Sequence, residues 1–128
     1  MILVDTSVIV AWMDGQHPAH RDCVAAIEEW IQRGRLAVSA VTFAELAAGA
    51  RTREHVEEAL SLFERLDVDF DDAWRAGVAF RQYRRKDSDD PVLPDFLIRA
   101  QAATRNIAHL TRDRRRVKSF PDVDFEFV

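Results

Sequence analysis

Short apolar runs alternate with segments of helical periodicity along the whole chain, and this order restricts the fold more than any other feature. Residues 1–4, 36–38, 66–70, 107–111 and 123–128 read as strands. Residues 7–13 form a short apolar helix that stops at Gly15. Pro18 suits the first turn of a second helix, on which Val24, Ile27, Trp30 and Ile31 fall at helical spacing before Gly34 closes it. Residues 42–50 make a third helix. A fourth begins near Thr52, where Val56, Ala59, Leu60, Phe63 and Leu66 keep the 3.6-residue period. Residues 71–85 place Trp74, Val78 and Tyr83 on an inner face, and Pro94 opens a helix carrying Phe96, Leu97, Ala100 and Ala103. The polar stretch 86–91 reads as a loop. Strands that alternate with helices predict a mainly parallel sheet covered by helices on both faces. With 128 residues and no linker or repeat, that sheet is expected in one domain over 1–128.

Composition excludes several classes. The single cysteine, Cys23, rules out an internal disulfide and a thiolate zinc site; it reads as a small buried apolar residue in a reducing cytoplasm. The first residues, Met1-Ile2-Leu3-Val4-Asp5, carry no basic leader, and no run is long enough to span a bilayer, so neither a signal peptide nor a membrane association is expected. There is no Gly-x-Gly-x-x-Gly, no Walker loop and no Gly-x-Ser-x-Gly, which removes the common nucleotide and hydrolase folds. A net charge of −4 argues against a nucleic-acid partner at first sight, but bound cations reverse the local sign of a site. The positive charge is also gathered in two places. Arg112, Arg114, Arg115, Arg116 and Lys118 form one cluster, and Arg81, Arg84, Arg85 and Lys86 another, followed at once by acidic Asp87-Ser88-Asp89-Asp90.

In open parallel sheets, sites form beyond the carboxyl ends of the strands. Asp5 directly follows the first strand, and Asp113 stands two residues after the fourth; Glu45 and Asp95 fall in first helical turns. Each acid alone has an ordinary explanation. Asp5 can cap a helix, Thr42 and Glu45 have the capping-box spacing, Asp95 suits a helix dipole, and Asp113 can pair with a neighbouring arginine. None of these explains why all four fall at one edge. Clustered carboxylates repel and take up protons unless a cation is present. One or two magnesium ions, or manganese in their place, suit an oxygen-only donor set; zinc suits it less, because no Cys or His belongs to it. His17 and His20 lack a third ligand and open a helix, and Trp12, Trp30 and Trp74 read first as core. Arg112, Arg114, Arg115 and Arg116 offer either phosphate contacts or a solvated, partly ion-paired face.

The motifs around these acids resemble those of PIN domains, specifically the VapC type of toxin ribonuclease. The resemblance runs along the whole chain. It is carried by Ile2-Leu3-Val4-Asp5-Thr6-Ser7-Val8, by Val41-Thr42-Phe43-Ala44-Glu45-Leu46 with Gly49, by Leu93-Pro94-Asp95-Phe96-Leu97-Ile98 with Ala100, and by Leu110-Thr111-Arg112-Asp113 with Phe120. It implies a three-layer α/β/α fold with five parallel strands in the order 3-2-1-4-5, and metal-dependent endonucleolytic cleavage of RNA. It also implies a homodimer and silencing by a small cognate antitoxin. By position, Asp5, Glu45, Asp95 and Asp113 become the catalytic, metal-binding quartet, and Thr6, Ser7 and Thr111 supporting hydroxyls. The acidic run 87–90 departs from what RNA approach would favour. Two alternatives stay open: a PIN-type nuclease acting in RNA processing or on structured DNA, and an inactive PIN-fold binding module. A receiver-type domain fits poorly, since Asp5 is followed by Thr6 and Ser7 rather than by a second acid.

Overall fold

The computed structural model describes residues 1–50, 52–86 and 92–128, with the side chains of residues 84–86 left aside. In chain order the elements are β1 (Ile2–Val4), α1 (Thr6–Met13), α2 (His20–Arg33), β2 (Leu36–Ser39), α3 (Ala40–Gly49), α4 (Arg53–Ala59), β3 (Phe63–Leu66), α5 (Phe70–Lys86), α6 (Leu93–Arg105), β4 (Ala108–Thr111) and β5 (Phe125–Phe127), with a 3₁₀ turn at Val117–Ser119. The strands form one all-parallel sheet in the order β3-β2-β1-β4-β5, as expected from the resemblance.

Side-chain alternation sorts the layers. Ile2 and Val4 of β1 join Leu36 and Val38 of β2 against Val8, Ile9 and Ala11 of α1, Cys23 and Ile27 of α2 and Val56 of α4. Leu3 and Ala37 point the other way, onto Ile98 and Ala102 of α6. A second cluster beyond that face joins Ala76 and Ala79 of α5 to Phe96 and Ala100 of α6 and to Phe120. The central strand is therefore apolar at every position, each large side chain contributing roughly 1.5–3 kcal/mol by its burial. Helix α6 ends on Asn106, whose left-handed φ of 52° asparagine tolerates. The amide of Ile107 then bonds back to Ala102 at 3.1 Å and turns the chain into β4.

Four expectations need correction. The third strand is Phe63–Leu66, not residues 66–70, and Phe63 belongs to it rather than to the preceding helix. Pairing with Leu36–Ser39 and an edge contact between the Phe63 and Trp12 rings, 5.7 Å apart, override the helical period of the local sequence. Residue 70 is helical because Asp69 and Asp72 cap one another: the Asp72 amide donates to Asp69 Oδ1 at 2.8 Å and the Asp69 amide to Asp72 Oδ2 at 3.0 Å. Trp74 faces solvent, 77% exposed, instead of the core. Asp72 is drawn inward by Arg105 and Thr104, and Trp74 lies about 200° further round the helix. Helix α3 starts at Ala40, capped by Ser39 accepting from the Val41 amide at 3.0 Å, so Thr42 is not its cap. The smaller differences are of boundary: Pro18 precedes α2, Ile31 is exposed, and β5 is shorter than residues 123–128. Cys23 is fully buried, as read from the sequence. The acidic run 87–90 and Pro91 lie outside the described residues. Among the described residues no helix is long and apolar enough to cross a membrane.

Candidate active site

An all-parallel sheet puts every strand's carboxyl end on one edge, and the helices that follow β1 and β2, or precede β4, begin there. Asp5 stands directly after β1 and caps α1, with its amide donating to Leu110 O of β4 at 2.9 Å. Glu45 lies in the second turn of α3, one turn later than expected because that helix starts at Ala40. Asp95 lies in the first turn of α6. Asp113 follows β4, its amide donating to Thr111 Oγ1 at 3.0 Å.

Hydroxyls tie the acids together. The Ser7 hydroxyl donates to Asp5 Oδ2 at 2.5 Å, and Thr111 Oγ1 reaches the same oxygen at 3.2 Å. Thr111 thus bridges Asp5 to the Asp113 backbone. Thr6 Oγ1 lies 2.8 Å from both Glu45 Oε1 and Thr42 Oγ1. A carboxylate only accepts, so the single Thr6 proton goes to Glu45 and Thr42 donates to Thr6. The capping-box reading of Thr42 and Glu45 gives way to this chain, which spends Glu45 on the sheet edge.

The electrostatics divide the quartet. Burial raises the Glu45 carboxyl, and the negative charges of Asp95 and Asp5 add to the rise, against the bond from Thr6. Burial likewise raises Asp95, with Asp5 and Asp113 adding and Arg99 and Arg116 opposing. For Asp5, burial is outweighed by His109 and by the Ser7 hydroxyl and amide, and its pKa falls to about 2. His109 Nε2 stands 3.6 Å from Asp5 Oδ1. Burial also raises Asp113, but the Arg115 side chain and amide, and then Arg99, bring it below its ordinary value.

Two further residues, unremarked in the sequence, complete the site. Arg99 is one turn after Asp95 on α6, its side chain 3% exposed beneath the acids. It donates to Arg115 O at 2.8 Å and to Asp113 O at 3.4 Å, pinning the loop after β4 to α6. His109, in the middle of β4, is fully buried. Both are polar residues in otherwise apolar stretches, a pattern that does not say which way either side chain faces. Of the four arginines, Arg115 is paired with Asp113 at 2.9 Å and Arg116 with Asp95 at 3.1 Å, while Arg112 and Arg114 are exposed. His17 accepts from the Ala19 amide in the α1–α2 connection, and the His20 ring bonds to Ala11 O, joining the start of α2 to α1.

Among the described residues no three His, Cys, Asp or Glu side chains stand as a ready-made cage for an ion. The oxygen-only donor set, in which neighbouring carboxylates raise the proton affinity of Glu45 and Asp95, nevertheless fits a hard divalent cation. Magnesium keeps several waters and is commonly held through only one or two carboxylates.

Replacing Arg99 by Met, which keeps the volume but loses both carbonyl bonds, is expected to cost about 1.5–2 kcal/mol in urea unfolding. Arg99→Lys should recover less than half, because an ammonium cannot span two carbonyls as a guanidinium does. Full stability in Arg99→Met would mean that the loop is held by other contacts.

A family model described as PIN domain matches residues 2–126. Ribonuclease VapC10 of Mycobacterium tuberculosis is 36% identical over 122 residues, covering 85% of each chain. A chain of a toxin-antitoxin complex from Klebsiella pneumoniae superposes with a TM-score of 0.76 at 25% identity, over 96% of this chain and 95% of that one. VapBC2 from Rickettsia felis, in a crystal structure bound to a DNA fragment from its promoter, gives a TM-score of 0.79 over 100% of this chain and 99% of that one; at 21% identity it speaks for the fold alone. The chain therefore belongs to the PIN domain family, as a relative of the VapC ribonucleases.

Proposed function

We propose that this chain is a metal-dependent endoribonuclease and the toxin half of a toxin-antitoxin pair. The observation that carries the reading is topological: Asp5, Glu45, Asp95 and Asp113, from four separate segments, face one edge of the parallel sheet, where the charges of Asp5 and Asp95 act on Glu45 and those of Asp5 and Asp113 on Asp95. A fold has no need of such repulsion, and a bound cation relieves it. The similarity to Ribonuclease VapC10 supports RNA as the substrate.

These four acids would hold magnesium or manganese, one ion or two, which supplies polarisation of the phosphoryl oxygens and a lowered pKa for bound water. The chain's own contributions follow from the geometry. Ser7 and Thr111 fix the Asp5 carboxylate, and its low pKa keeps it an anion and a poor proton acceptor. One of the carboxylates would accept the proton of the attacking water. Arg115 and Arg116 neutralise Asp113 and Asp95. Attack by water leaves a 5′-phosphate on the downstream product, whereas a 2′,3′-cyclic phosphate upstream would contradict this route.

The similarity to a chain of a toxin-antitoxin complex supports a small antitoxin as partner. A mainly apolar groove of about 730 Å³ lined by Val10, Met13, Leu46, Ala50 and Val56 reaches Glu45, so a segment seated there would also cover the site. The exposed Phe70 and Trp74, one turn apart on α5, offer an apolar face for the homodimer.

The test is incubation of the purified, partner-free chain with a mixed RNA pool and magnesium or manganese, with and without EDTA, beside thermal melts. Cleavage that EDTA abolishes, with a metal-induced rise in Tm, is the expected result. Neither cleavage nor a metal-induced rise would overturn the reading in favour of an inactive binding module.

A further inference from the structure

A cavity of about 570 Å³ opens beside the acids, between α5 and the loop after β4. Arg75, Tyr83, Arg114, Arg116 and Lys118 line it with Ser119, and among the described residues no carboxylate does. Four cations around one concavity are unexpected in a chain of net charge −4. Two of them are committed: Arg75 to Asp122 at 3.0 Å, and Arg116 to Asp95 at 3.1 Å. Arg114 and Lys118 are exposed and, among the described residues, have no carboxylate partner; the Arg114 guanidinium lies over the Phe127 ring, 4.3 Å from its centroid. Two neighbouring cations without a counter-charge repel each other, and an anion between them removes that cost. Arg116 places the cavity relative to the acids, because the guanidinium that bonds Asp95 also lies 5.6 Å from the Tyr83 ring on the cavity wall.

We propose that this cavity is a subsite for the RNA strand next to the cleaved bond, in which Arg114 and Lys118 hold a backbone phosphate while Tyr83 and Ser119 line the wall against its nucleotide. The proposal rests on the endoribonuclease reading. The volume lies within the range of pockets that enclose a small organic ligand and exceeds the need of a lone phosphate. The uncompensated pair supplies the sequence-independent attraction that positions a nucleic-acid backbone.

The test uses the full chain carrying Asp5→Asn, so that RNA is bound but not cut. Binding of a fluorescein-labelled single-stranded RNA is followed by anisotropy across a salt series. Adding Arg114→Glu and Lys118→Glu together is expected to weaken binding at least tenfold and to lower the salt slope by about 1.4, at roughly 0.7 per single-strand phosphate contact. Lys118→Ala alone should lower it by about half as much. Arg21→Glu on α2, an equal charge change on an exposed residue elsewhere, is the control and should change binding less than twofold. RNA bound by the Asp5→Asn parent with equal affinity and slope in the double variant would overturn the subsite and leave the nuclease reading standing. An equal loss in the Arg21 control would also overturn it, as a general charge effect. No RNA binding by the parent, with no cleavage by the wild type, would remove both.

Discussion

Asp5→Asn is expected to lower RNA cleavage by more than about 10²-fold while leaving the fold in place. Partners one shell out from a metal ligand are commonly worth 10–100-fold, so a direct ligand should exceed that range. The choice of asparagine separates two roles of one residue. Asp5 caps α1 and accepts from Ser7 and Thr111. Asparagine caps about as well as aspartate, and its side-chain carbonyl can accept the same bonds, so stability should change by less than about 1 kcal/mol. What the substitution removes is the charge that lifts the proton affinity of Glu45 and Asp95. Initial cleavage rates with magnesium, read beside urea unfolding, decide the matter. Wild-type rates in a folded variant would sink the assignment of Asp5 to the metal. Loss of activity with unfolding would instead return Asp5 to a capping role. Asp5→Ala, which loses cap and charge together, should cost the same activity and about 1 kcal/mol of stability in addition.

The positions of the acids were readable because they depend on topology, and topology follows from the alternation of elements. Once β1 and β4 are parallel neighbours, Asp5 and Asp113 must emerge on one edge, whatever their side chains do. Arg99 and His109 were not readable in the same way. Their places depend on what packs over them, and a charged residue four positions after Asp95 has the same local pattern whether it faces solvent or the acids. The third strand failed for a related reason. Val56, Leu60 and Phe63 fit one helical stripe, but only pairing with β2 decides that Phe63 leaves the helix. Trp74 misled because aromatic residues dominate any guess about an inner face. In α5 a polar residue sets the rotation: Asp72 is fully buried while Trp74 and Phe70 face solvent.

That buried acid leads to the largest stability effect expected in this chain: Asp72→Asn should cost about 3 kcal/mol near neutral pH. Asp72 accepts from Arg105 at 2.8 Å, from the Thr104 hydroxyl and from the Asp69 amide, and so joins α5 to the end of α6. Removing one partner of a buried pair typically costs 3–5 kcal/mol; Arg105 is part-exposed, which puts this case at the low end. The pH dependence separates charge from shape. Burial raises the Asp72 carboxyl, but the bonds from Arg105, Thr104 and Asp69 and the Arg105 charge outweigh it, so its folded pKa lies below the ordinary value. A depressed folded pKa stabilises fully above the unfolded value of about 3.9, and that contribution is lost as pH falls through the folded value. The gap between wild type and Asp72→Asn should therefore be constant from about pH 8 to pH 5 and close steadily below about pH 4. Urea unfolding of both proteins at pH 7, 5 and 3.5 measures it. A gap that stays the same at the lowest pH would show that asparagine disturbs the packing of α5 on α6, and that the Asp72 charge contributes little to joining them.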